Sequence, residues 1–489
     1  MAPGRQALRS LRLAELDRSL EQDPDAIDAR FERASLMREE RQFEAAKRDY
    51  LELLRRKPTD FAALNDFGTL VQKAGYKEAA RSLFGAAVRH HPDNPNGRVN
   101  LANLLLLMGE TEEARFHFEA ALRIDPGHIH AHRGMANLLA AAGDAAAARR
   151  HRDKGFKDHF LTALPYRGEG APISVLLLIS AAGGNIPTNS ILDDRQFLAN
   201  VLVTEYADPR VPLPPHHLVF NSIGDADLCR EGLEAASAVL KRTDRPLINH
   251  PAAVLKTGRT ANVERLRGLP NVVVPRMATL PRRIFTEPEA AAAVAGNGFA
   301  FPFLVRAPGF HTGRHFVRVE NPQQLAAAAA EFPGDELCLI EELDARDGDG
   351  FFRKCRVMII DGKIYPLHLA ISRHWKVHYF RADMAHSAEN RRQDAAFLDD
   401  MTSVVGPRGM AALQRIGATL NLDYCGVDFA VSREGDILFF EANATMVMVP
   451  LGPDAKWDYR RPAFDAVFAA VRAMLLHRSV GDDDRRARA

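Results

Sequence analysis

The chain has 489 residues, and its 64 lysines and arginines almost balance its 63 aspartates and glutamates. This balance excludes an overall electrostatic field that would attract nucleic acid or an anionic membrane surface. The four cysteines lack CxxC spacing, which disfavours a disulfide framework and a zinc site. No segment reaches the ~20 apolar residues that a bilayer span needs, so we expect a cytoplasmic protein of about two to four folding units.

A period of 34 residues runs through the N-terminal third of the chain. Prolines, two sets of small residues, turn glycines and large aromatic residues all recur at this interval: Pro24, Pro58, Pro92 and Pro126; Ala34, Gly68, Ala102 and Ala136; Ala46, Ala80, Ala114 and Ala148; Gly75, Gly109 and Gly143; Tyr50, Phe84 and Phe118. Small residues where two helices cross, with a proline ending each unit, resemble the tetratricopeptide repeat (TPR). The resemblance implies four TPR units over residues 25–160, preceded by a helix or cap over 1–24. Each unit must stack on its neighbours, because one helix pair cannot bury its apolar face alone.

The first helices of the TPR units are expected to line a concave groove. In this register the groove presents five polar residues: Asn65, Lys73, Asn103, Arg133 and Asn137. Amide side chains in such a groove could pair with the backbone of an extended peptide, so these residues form a predicted docking site for a peptide or protein partner. The alternative is a solvated surface on a purely structural array. The groove residues do not identify the partner.

A polar linker is predicted at 161–171, followed by a small α/β subdomain at 172–250. The subdomain opens with the apolar strand Ile173–Ile179, which runs into a loop that contains Gly183 and Gly184. This loop lacks the spaced glycines of a dinucleotide-binding fold. A second strand is predicted at 218–223, and residues 246–251 introduce the helix that carries Arg259.

Near the C-terminus, two apolar runs at 426–431 and 437–443 flank a polar turn that contains Gly435. This pattern predicts a β-hairpin, in which Asp428, Glu441 and Asn443 share one face because side chains alternate along a strand. Two carboxylates and an amide oxygen suit Mg²⁺ or Mn²⁺, with phosphates and waters completing the coordination. The alternative is a hairpin with solvated acids at its edge. If the carboxylates face each other across an empty site, neutralising either one should leave the fold intact.

Residues 172–478 resemble the ATP-grasp superfamily, in particular its glutathione-synthetase-like and ribosomal-protein glutamate-ligase-like branch. The resemblance rests on segments in the expected order: a strand that ends in Arg306, a Gly-containing loop at 307–313, a hinge-like segment at 339–343, a hairpin at 353–365 and the hairpin at 426–443. The predicted protein is therefore multidomain, with an all-α TPR solenoid followed by an α+β ATP-grasp fold and its small preceding α/β subdomain. The ATP-grasp core and lid are expected over 251–478, and a disordered tail over 479–489.

The resemblance implies roles for individual residues. It implies ATP binding by the strand ends, the Gly-containing loop and the hinge: Arg259, Arg306, Gly309, Thr312, Gly313, Glu341, Glu342 and Leu343. It also implies metal binding by the three hairpin residues, and catalytic roles at an acyl phosphate for Arg356 and Arg373.

Two positions depart from the family pattern. The two phosphate-binding lysines of the family are Arg259 and Arg306 here. Arginine keeps the charge and can fork onto phosphate oxygens, so phosphate binding is expected to survive the exchange. The acidic residue that usually stands two positions before the hairpin arginine is Lys354, so the substrate of the family does not carry over.

The implied reaction is ATP-dependent ligation. A carboxylate attacks the terminal phosphoryl group of ATP to give an acyl phosphate, and an amine or similar nucleophile then displaces phosphate to form an amide. The TPR units would recruit a peptide or protein substrate or partner. Two alternatives stay open: a TPR interaction scaffold whose ATP-grasp domain binds nucleotide without ligating, and an ATP-grasp kinase.

Overall fold

The computed structural model describes residues 5–307, 315–377, 382–446, 448, 451–452 and 454–480. The chain divides into a helical unit, Met1–Phe160 with Arg167–Ala171, and a mixed unit, Leu161–Tyr166 with Pro172–Ala489. The predicted tail falls almost entirely on 481–489, outside the described residues. Within the described residues, no helix combines the length and the apolar character that crossing a membrane requires.

The described part of the helical unit contains nine helices: α1 (Arg5–Gln22), α2 (Ile27–Glu39), α3 (Phe43–Arg56), α4 (Phe61–Lys73), α5 (Lys77–His90), α6 (Pro95–Met108), α7 (Thr111–Ile124), α8 (Ile129–Ala141) and α9 (Ala145–Phe156). Helices α2 to α9 form consecutive antiparallel pairs with the predicted period. The expectation of an all-helical TPR-like solenoid followed by a mixed helix and sheet region is confirmed.

The periodic residues explain how the helices pack. The Phe84 ring of α5 lies where a Cβ on Gly68 of α4 would come within 2.6 Å of it, so a larger residue at this crossing would require the ring to shift. The Tyr50 ring of α3 stacks on Phe67 at 5.8 Å between ring centroids, which joins one helix pair to the next. Small residues and aromatic rings therefore alternate through one continuous core.

Ion pairs hold the leading helix against the first pair. Arg9 lies 2.8 Å from Glu40, and Arg12 lies 2.7 Å from Glu32. Leu16 and Leu20 of α1 are buried. Helix α1 thus packs against the first helix pair of the repeat array.

The mixed unit begins with a five-stranded sheet in the order β1-β3-β2-β4-β5: β1 (Leu161–Ala163), β2 (Ile173–Ile179), β3 (Phe197–Val203), β4 (Leu218–Asn221) and β5 (Leu247–Ile248). Strands β2 to β5 are parallel, and β1 pairs antiparallel with β3. Two features differ from expectation. Strand β1 lies inside the segment predicted as a linker, because three residues are too few to show a period, and β3 was not predicted.

Two further sheets complete the unit. One has the order β7-β10-β8-β9 and the other the order β12-β11-β13-β14-β6. Their strands are β6 (Val272–Val273), β7 (Met277–Pro281), β8 (Phe303–Arg306), β9 (Phe316–Val319), β10 (Glu336–Glu341), β11 (Phe352–Ile360), β12 (Lys363–Ser372), β13 (Tyr424–Val431) and β14 (Ile437–Asn443). The helices are α10 (Arg230–Leu240), α11 (Pro251–Val254), α12 (Arg259–Leu266), α13 (Ala290–Gly296), α14 (Leu325–Ala330), α15 (Ala388–Asp399), α16 (Met401–Leu420) and α17 (Arg461–Ser479).

One hydrophobic core joins the first sheet to the third. Val175 and Phe220 of the parallel sheet share it with Met358 of β11, Tyr424 of β13 and Val471 of α17. This core brings the carboxyl end of β4 against the end of β14. At the junction a Cβ on Gly224 would lie 2.5 Å from the backbone nitrogen of Thr445, so glycine is required by the close approach of two chains.

Candidate functional site

The C-terminal hairpin brings two carboxylates face to face. Strands β13 and β14 pair antiparallel with Asp428 opposite Glu441 and Gly426 opposite Asn443. Asp428 is almost fully buried. The side-chain oxygen of Asn443 accepts a hydrogen bond of 3.0 Å from the Thr445 hydroxyl. Alternation along the strands therefore places the three predicted metal ligands on one face, as the sequence indicated.

Strand β11 covers Asp428 with two cations. Arg356 lies opposite Asp428 in the β11–β13 register, and Lys354, two residues earlier, points to the same face. Arg356 donates from Nε to Oδ1 at 2.6 Å and from Nη2 to Oδ2 at 2.8 Å. The Lys354 ammonium donates to Oδ2 at 3.0 Å. Burial by itself would raise the pKa of Asp428, but the attraction of Arg356 and Lys354 holds that pKa far below its usual value.

Glu441 is paired from the other side, by the first residue of α12. Arg259 Nη2 donates to Glu441 Oε1 at 2.9 Å, and the Asn443 amide donates to the same oxygen at 3.3 Å. Burial and the neighbouring charge of Asp428 favour the protonated acid, yet Arg259 lowers the pKa of Glu441. Both carboxylates are therefore ionised at neutral pH.

Arg306 ends strand β8 as predicted and is 7% exposed. Burial, together with repulsion from Arg259, lowers the pKa of Arg306 to about 10, so the guanidinium is still charged at neutral pH. The central guanidinium carbon of Arg306 lies 5.7 Å from the centroid of the Phe316 ring.

Four cations and two carboxylates make up this cluster, which we call the phosphate-side cluster: Arg259, Arg306, Lys354, Arg356, Asp428 and Glu441. Asp227, outside these six residues, also attracts Arg306. Three guanidinium groups and one ammonium group therefore lie close together around two ionised carboxylates. A polyphosphate has the required charge and oxygens for forked arginines.

The donor chemistry also fits a hard divalent cation. No group of three or more His, Cys, Asp and Glu side chains in the described ranges is arranged to hold a metal. The candidate set is two ionised carboxylates and one amide oxygen, which Mg²⁺ or Mn²⁺ accepts when phosphates supply further ligands.

The remaining predicted ATP residues are only partly described. Gly309, Thr312 and Gly313 lie outside the described residues. The Glu341 side chain accepts a hydrogen bond of 2.8 Å from the backbone N–H of Arg276, and the Glu342 carboxylate accepts one of 2.7 Å from the Arg318 guanidinium. Leu343 is the second residue after the end of β10.

Arg356 and Arg373, the predicted catalytic pair, lie in different surroundings. The Nε and Nη2 groups of Arg356 both donate hydrogen bonds to Asp428. Arg373 follows β12, and its guanidinium lies 5.4 Å from the centroid of the Phe351 ring, while its backbone N–H donates to Asp383. Arg356 is therefore part of the phosphate-side cluster, whereas the described contacts of Arg373 belong to the edge of β12.

A pocket is lined by Glu441 and Arg259, and its lining does not include Lys354 or Arg356. We call it the acidic pocket, and its charged and amide lining residues are Asp225, Asp227, Arg259, Asn262, Glu441 and Asn443. Sequence reasoning missed Asp225, Asp227 and Asn262. Two aspartates directly after a strand could have been noticed, but nothing in the sequence distinguishes an asparagine inside α12.

The predicted TPR groove residues do not form one set. Asn103 and Asn137 are exposed at equivalent positions of α6 and α8, and Lys73 is exposed at the end of α4. Asn65 accepts a hydrogen bond of 2.5 Å from the Asn100 amide. Of the predicted groove residues, Asn103 and Asn137 therefore remain as exposed amides at equivalent repeat positions.

Arg133 departs from its predicted role. Its Nε donates to the carbonyl oxygen of Gly155 at 2.9 Å, and its Nη2 donates to that of His159 at 3.2 Å. The guanidinium also lies 4.3 Å from the centroid of the Phe156 ring. Arg133 therefore fastens the end of α9 and does not offer its charge to a ligand.

Comparison with known proteins bears on the helical unit. A tetratricopeptide repeat family model matches residues 109–153, which contain α7, α8 and most of α9. No curated protein sequence matches the chain. A solved structure of MamA is 17% identical, covers 29% of this chain and 84% of its own, and has a TM-score of 0.28.

Two other solved structures are similar at the same level. MamA 41-end from Desulfovibrio magneticus RS-1 is 16% identical, with 31% of this chain and 85% of that chain covered and a TM-score of 0.29. YrrB, described as a TPR protein with an unusual peptide-binding site, is 23% identical, with coverages of 30% and 76% and a TM-score of 0.27. The family match assigns tetratricopeptide repeats, modules that typically bind proteins or peptides, to the N-terminal region.

Proposed function

We propose that the mixed unit is an ATP-dependent carboxylate–amine ligase of the ATP-grasp type, and that the repeats recruit its peptide or protein substrate or partner. The observation that carries the proposal is the phosphate-side cluster, in which two ionised carboxylates at opposed register are outnumbered by four buried or half-buried cations. Such a cluster suits ATP with a divalent cation, because guanidinium groups bind phosphate oxygens and the two carboxylates supply oxygen ligands for the metal.

The position of each side chain in the cluster indicates its proposed role. Arg259 and Arg306 would bind the terminal phosphates, with Arg306 held in place by burial. Asp428, Glu441 and Asn443 would hold Mg²⁺ or Mn²⁺, which supplies charge neutralisation and alignment when bound. Lys354 and Arg356 lie beside Asp428, where they can stabilise the negative charge of an acyl phosphate.

The chemistry balances without a protein nucleophile. A substrate carboxylate oxygen attacks the terminal phosphorus, and the bond to the bridging oxygen breaks, which releases ADP. The amine nitrogen then attacks the acyl carbon, loses a proton, and phosphate leaves. The protein needs only to align the groups and stabilise charge, which can account for ~10⁵-fold or more of the rate.

A kinase is the closest competitor, and the acidic pocket favours the ligase. The lining of this pocket contains three carboxylates and one guanidinium, a setting that suits a cationic amine better than a neutral hydroxyl. The pocket also adjoins Glu441, which belongs to the phosphate-side cluster.

Hydroxylamine trapping separates the two activities. The full chain is incubated with MgATP, hydroxylamine and a panel of carboxylic acids that includes the amino acids, and the products are analysed by mass spectrometry. A ligase forms ADP, phosphate and the hydroxamate of its own acid, because hydroxylamine intercepts the acyl phosphate. A phosphorylated acceptor without hydroxamate would identify a kinase, and a chain that does not bind MgATP would contradict both.

A further inference from the structure

An aromatic ring lies beside the guanidinium of Arg306. Strands β8 and β9 pair antiparallel with Arg306 opposite Phe316. Residues directly opposite each other point to the same face of a sheet, so the two side chains can meet. The guanidinium carbon lies 5.7 Å from the centroid of the Phe316 ring, within the range of a cation–π contact. Phe316 therefore forms one wall of the position that the Arg306 guanidinium occupies.

The Phe316 ring is contacted in turn by a residue that follows the third sheet. Trp375 is the third residue after the end of β12. The centroids of the Trp375 and Phe316 rings are 5.3 Å apart, and the ring planes are inclined by 70°. This edge-to-face arrangement is one of those that aromatic pairs prefer. A chain of contacts thus runs from Trp375 through Phe316 to Arg306.

The next residue, Lys376, contacts Phe316 at its main chain as well as at its ring. The Lys376 ammonium donates a hydrogen bond of 3.0 Å to the carbonyl oxygen of Phe316, and it lies 5.7 Å from the centroid of the ring. Two consecutive residues of one segment therefore hold Phe316. We call Phe316, Trp375 and Lys376 the aromatic clasp.

The aromatic clasp joins the edges of two sheets. Strand β9 is an edge strand of the sheet β7-β10-β8-β9, and β12 is an edge strand of the sheet β12-β11-β13-β14-β6. The phosphate-side cluster is divided between the same two sheets. Arg306 lies on β8, whereas the other members except Arg259 lie on β11, β13 and β14. A ligand that bridges the cluster must therefore contact both of the sheets that the clasp holds together.

We propose that Trp375 is a positioning residue for the nucleotide phosphates: through Phe316 it sets the orientation of the Arg306 guanidinium, and bound nucleotide in turn stabilises the aromatic clasp. The inference rests on the proposed function for the identity of the ligand. It assigns Trp375 no contact with the nucleotide or with the reacting atoms. Coupling between two positions is reciprocal, so a clasp that affects nucleotide affinity must also respond to nucleotide.

Tryptophan fluorescence measures this response directly, because the chain contains two tryptophans, Trp375 and Trp457. In a full-length Trp457→Phe protein, all tryptophan emission comes from Trp375. MgATP should shift this emission and reduce its quenching by acrylamide, since the half-buried Trp375 ring is then held more firmly against Phe316. In the Trp375→Phe protein, MgATP should change neither quantity, because the Trp457 ring lies beside Lys456 and outside the clasp. An equal response of Trp457 would overturn the inference.

Substitutions at Trp375 show whether its ring supports nucleotide binding. Trp375→Leu keeps an apolar side chain but removes the ring, and it should weaken MgATP binding about two- to tenfold, the loss expected for one aromatic pair. Trp375→Phe keeps an aromatic ring and should retain most of the affinity. The matched control is Trp457→Leu, which should leave the affinity unchanged. A Trp375→Leu protein that binds MgATP as tightly as this control would overturn the positioning role.

A double-mutant cycle tests whether the effect passes through Arg306. In an Arg306→Ala protein, Trp375→Leu should cause no further loss of MgATP affinity, because the guanidinium that the clasp orients is absent. Two losses of affinity that combine independently would contradict the inference. If Trp375→Leu does not fold, the fluorescence of the Trp457→Phe protein decides the question.

Calorimetry of the Trp457→Phe protein separates this inference from the proposed function. MgATP that binds without any response of Trp375 overturns the role of the clasp and leaves the nucleotide site standing. A chain that does not bind MgATP contradicts the proposed function, and the inference falls with it.

Discussion

The helical and mixed units use their charged residues differently. In the helical unit, partly exposed pairs such as Arg81 with Glu110 and Glu113 join neighbouring repeats, and the buried Asp49 pairs with Arg33, which also pairs with Asp17. In the mixed unit, Arg306, Arg356 and Asp428 are buried or half-buried, and cations outnumber acids in the cluster. Exposed balanced pairs contribute little to stability and indicate a scaffold surface. A buried group of cations and carboxylates beside a pocket is typical of a position where a charged ligand binds.

The largest expected effect comes from neutralising the buried carboxylate. Asp428→Asn leaves Arg356 and Lys354 without their counter-ion, and removing one partner of a buried pair costs about 3–5 kcal/mol. This corrects the expectation that neutralising the hairpin acids would leave the fold intact, because that expectation did not include the cations of β11. Chemical denaturation of the full chain measures the change in the free energy of unfolding.

The same hairpin supplies the control for that variant. Asp436 pairs with Arg408 at 2.7 Å, but both side chains are partly exposed, so Asp436→Asn should cost less than about 1 kcal/mol. The pKa of Asp428 is lower in the folded chain than in the unfolded chain, so its contribution is present above about pH 4 and is lost as the pH falls. If Asp428→Asn and Asp436→Asn lower the free energy of unfolding by the same amount, the buried pairs of Asp428 stabilise the fold no more than a surface pair does.

The second effect concerns the affinity for nucleotide. Arg306→Ala and Arg259→Ala should each weaken MgATP binding by about 10- to 100-fold, since a charge-assisted hydrogen bond contributes about 1.5–3 kcal/mol. Arg→Lys at either position shows how the charge is used. If lysine restores binding, a point charge suffices, and if it does not, the forked geometry is required.

An exposed arginine in the same unit controls for general effects of charge removal. Arg210 pairs with Asp208 at 2.7 Å and is largely exposed, so Arg210→Ala should leave MgATP affinity unchanged. An Arg306→Ala protein that binds MgATP as well as the Arg210→Ala protein would rule out a phosphate role for Arg306.

The third effect tests the groove of the helical unit. Replacing Asn103 and Asn137 together by Ala should raise the Michaelis constant for a peptide or protein substrate by about tenfold without changing kcat, because two amide contacts to a bound backbone are lost. Glu78 and Glu112 are exposed, lie 34 residues apart, and belong to second helices, so their double Ala variant is the matched control. Deleting the repeats should increase the effect to about 10²-fold if they tether the substrate.

An unchanged Michaelis constant in the Asn103 and Asn137 variant would remove the groove from substrate recruitment. Recruitment by another face of the repeats would then have to account for any effect of the deletion.

The smallest effect compares two glycines of the repeats. Gly109 has a φ of +86°, and a Cβ there meets nothing within 4 Å, so Gly109→Ala should cost about 1 kcal/mol through backbone strain alone. Gly68→Ala adds a clash with the Phe84 ring and should cost about 1–3 kcal/mol. Thermal unfolding measures both, and a Gly68→Ala protein as stable as Gly109→Ala would show that the ring moves aside at no cost.

The repeats were predictable because each unit makes its contacts within about 34 residues and then repeats them. The positions of Gly68 and Phe84 recur in the sequence as Ala34 with Tyr50 and Ala102 with Phe118, so the pattern of small and large residues is displayed several times. Arg133 is where this reasoning fails. Its partners lie at the end of α9, where no further repeat follows within the helical unit, so the repeat pattern does not report them.

The candidate site was predictable only where one hairpin contains it. Alternation along β13 and β14 placed Asp428 opposite Glu441. The cations come from distant parts of the sequence. Arg356 precedes its partner Asp428 by 72 residues, and Arg259 precedes its partner Glu441 by 182 residues. Strand register and helix placement over such distances depend on the packed fold, which local patterns do not determine.

The central claim is that the phosphate-side cluster binds a metal-bound nucleotide, and calorimetry of the full chain tests it most directly. Titrations with MgATP, with ATP in EDTA and with MgCl₂ alone are compared. We predict that MgATP binds, that affinity falls in EDTA because the Asp428 and Glu441 carboxylates then face phosphate without an intervening ion, and that Mg²⁺ alone does not bind. Failure of MgATP to bind, or equal affinity with and without magnesium, would contradict the account.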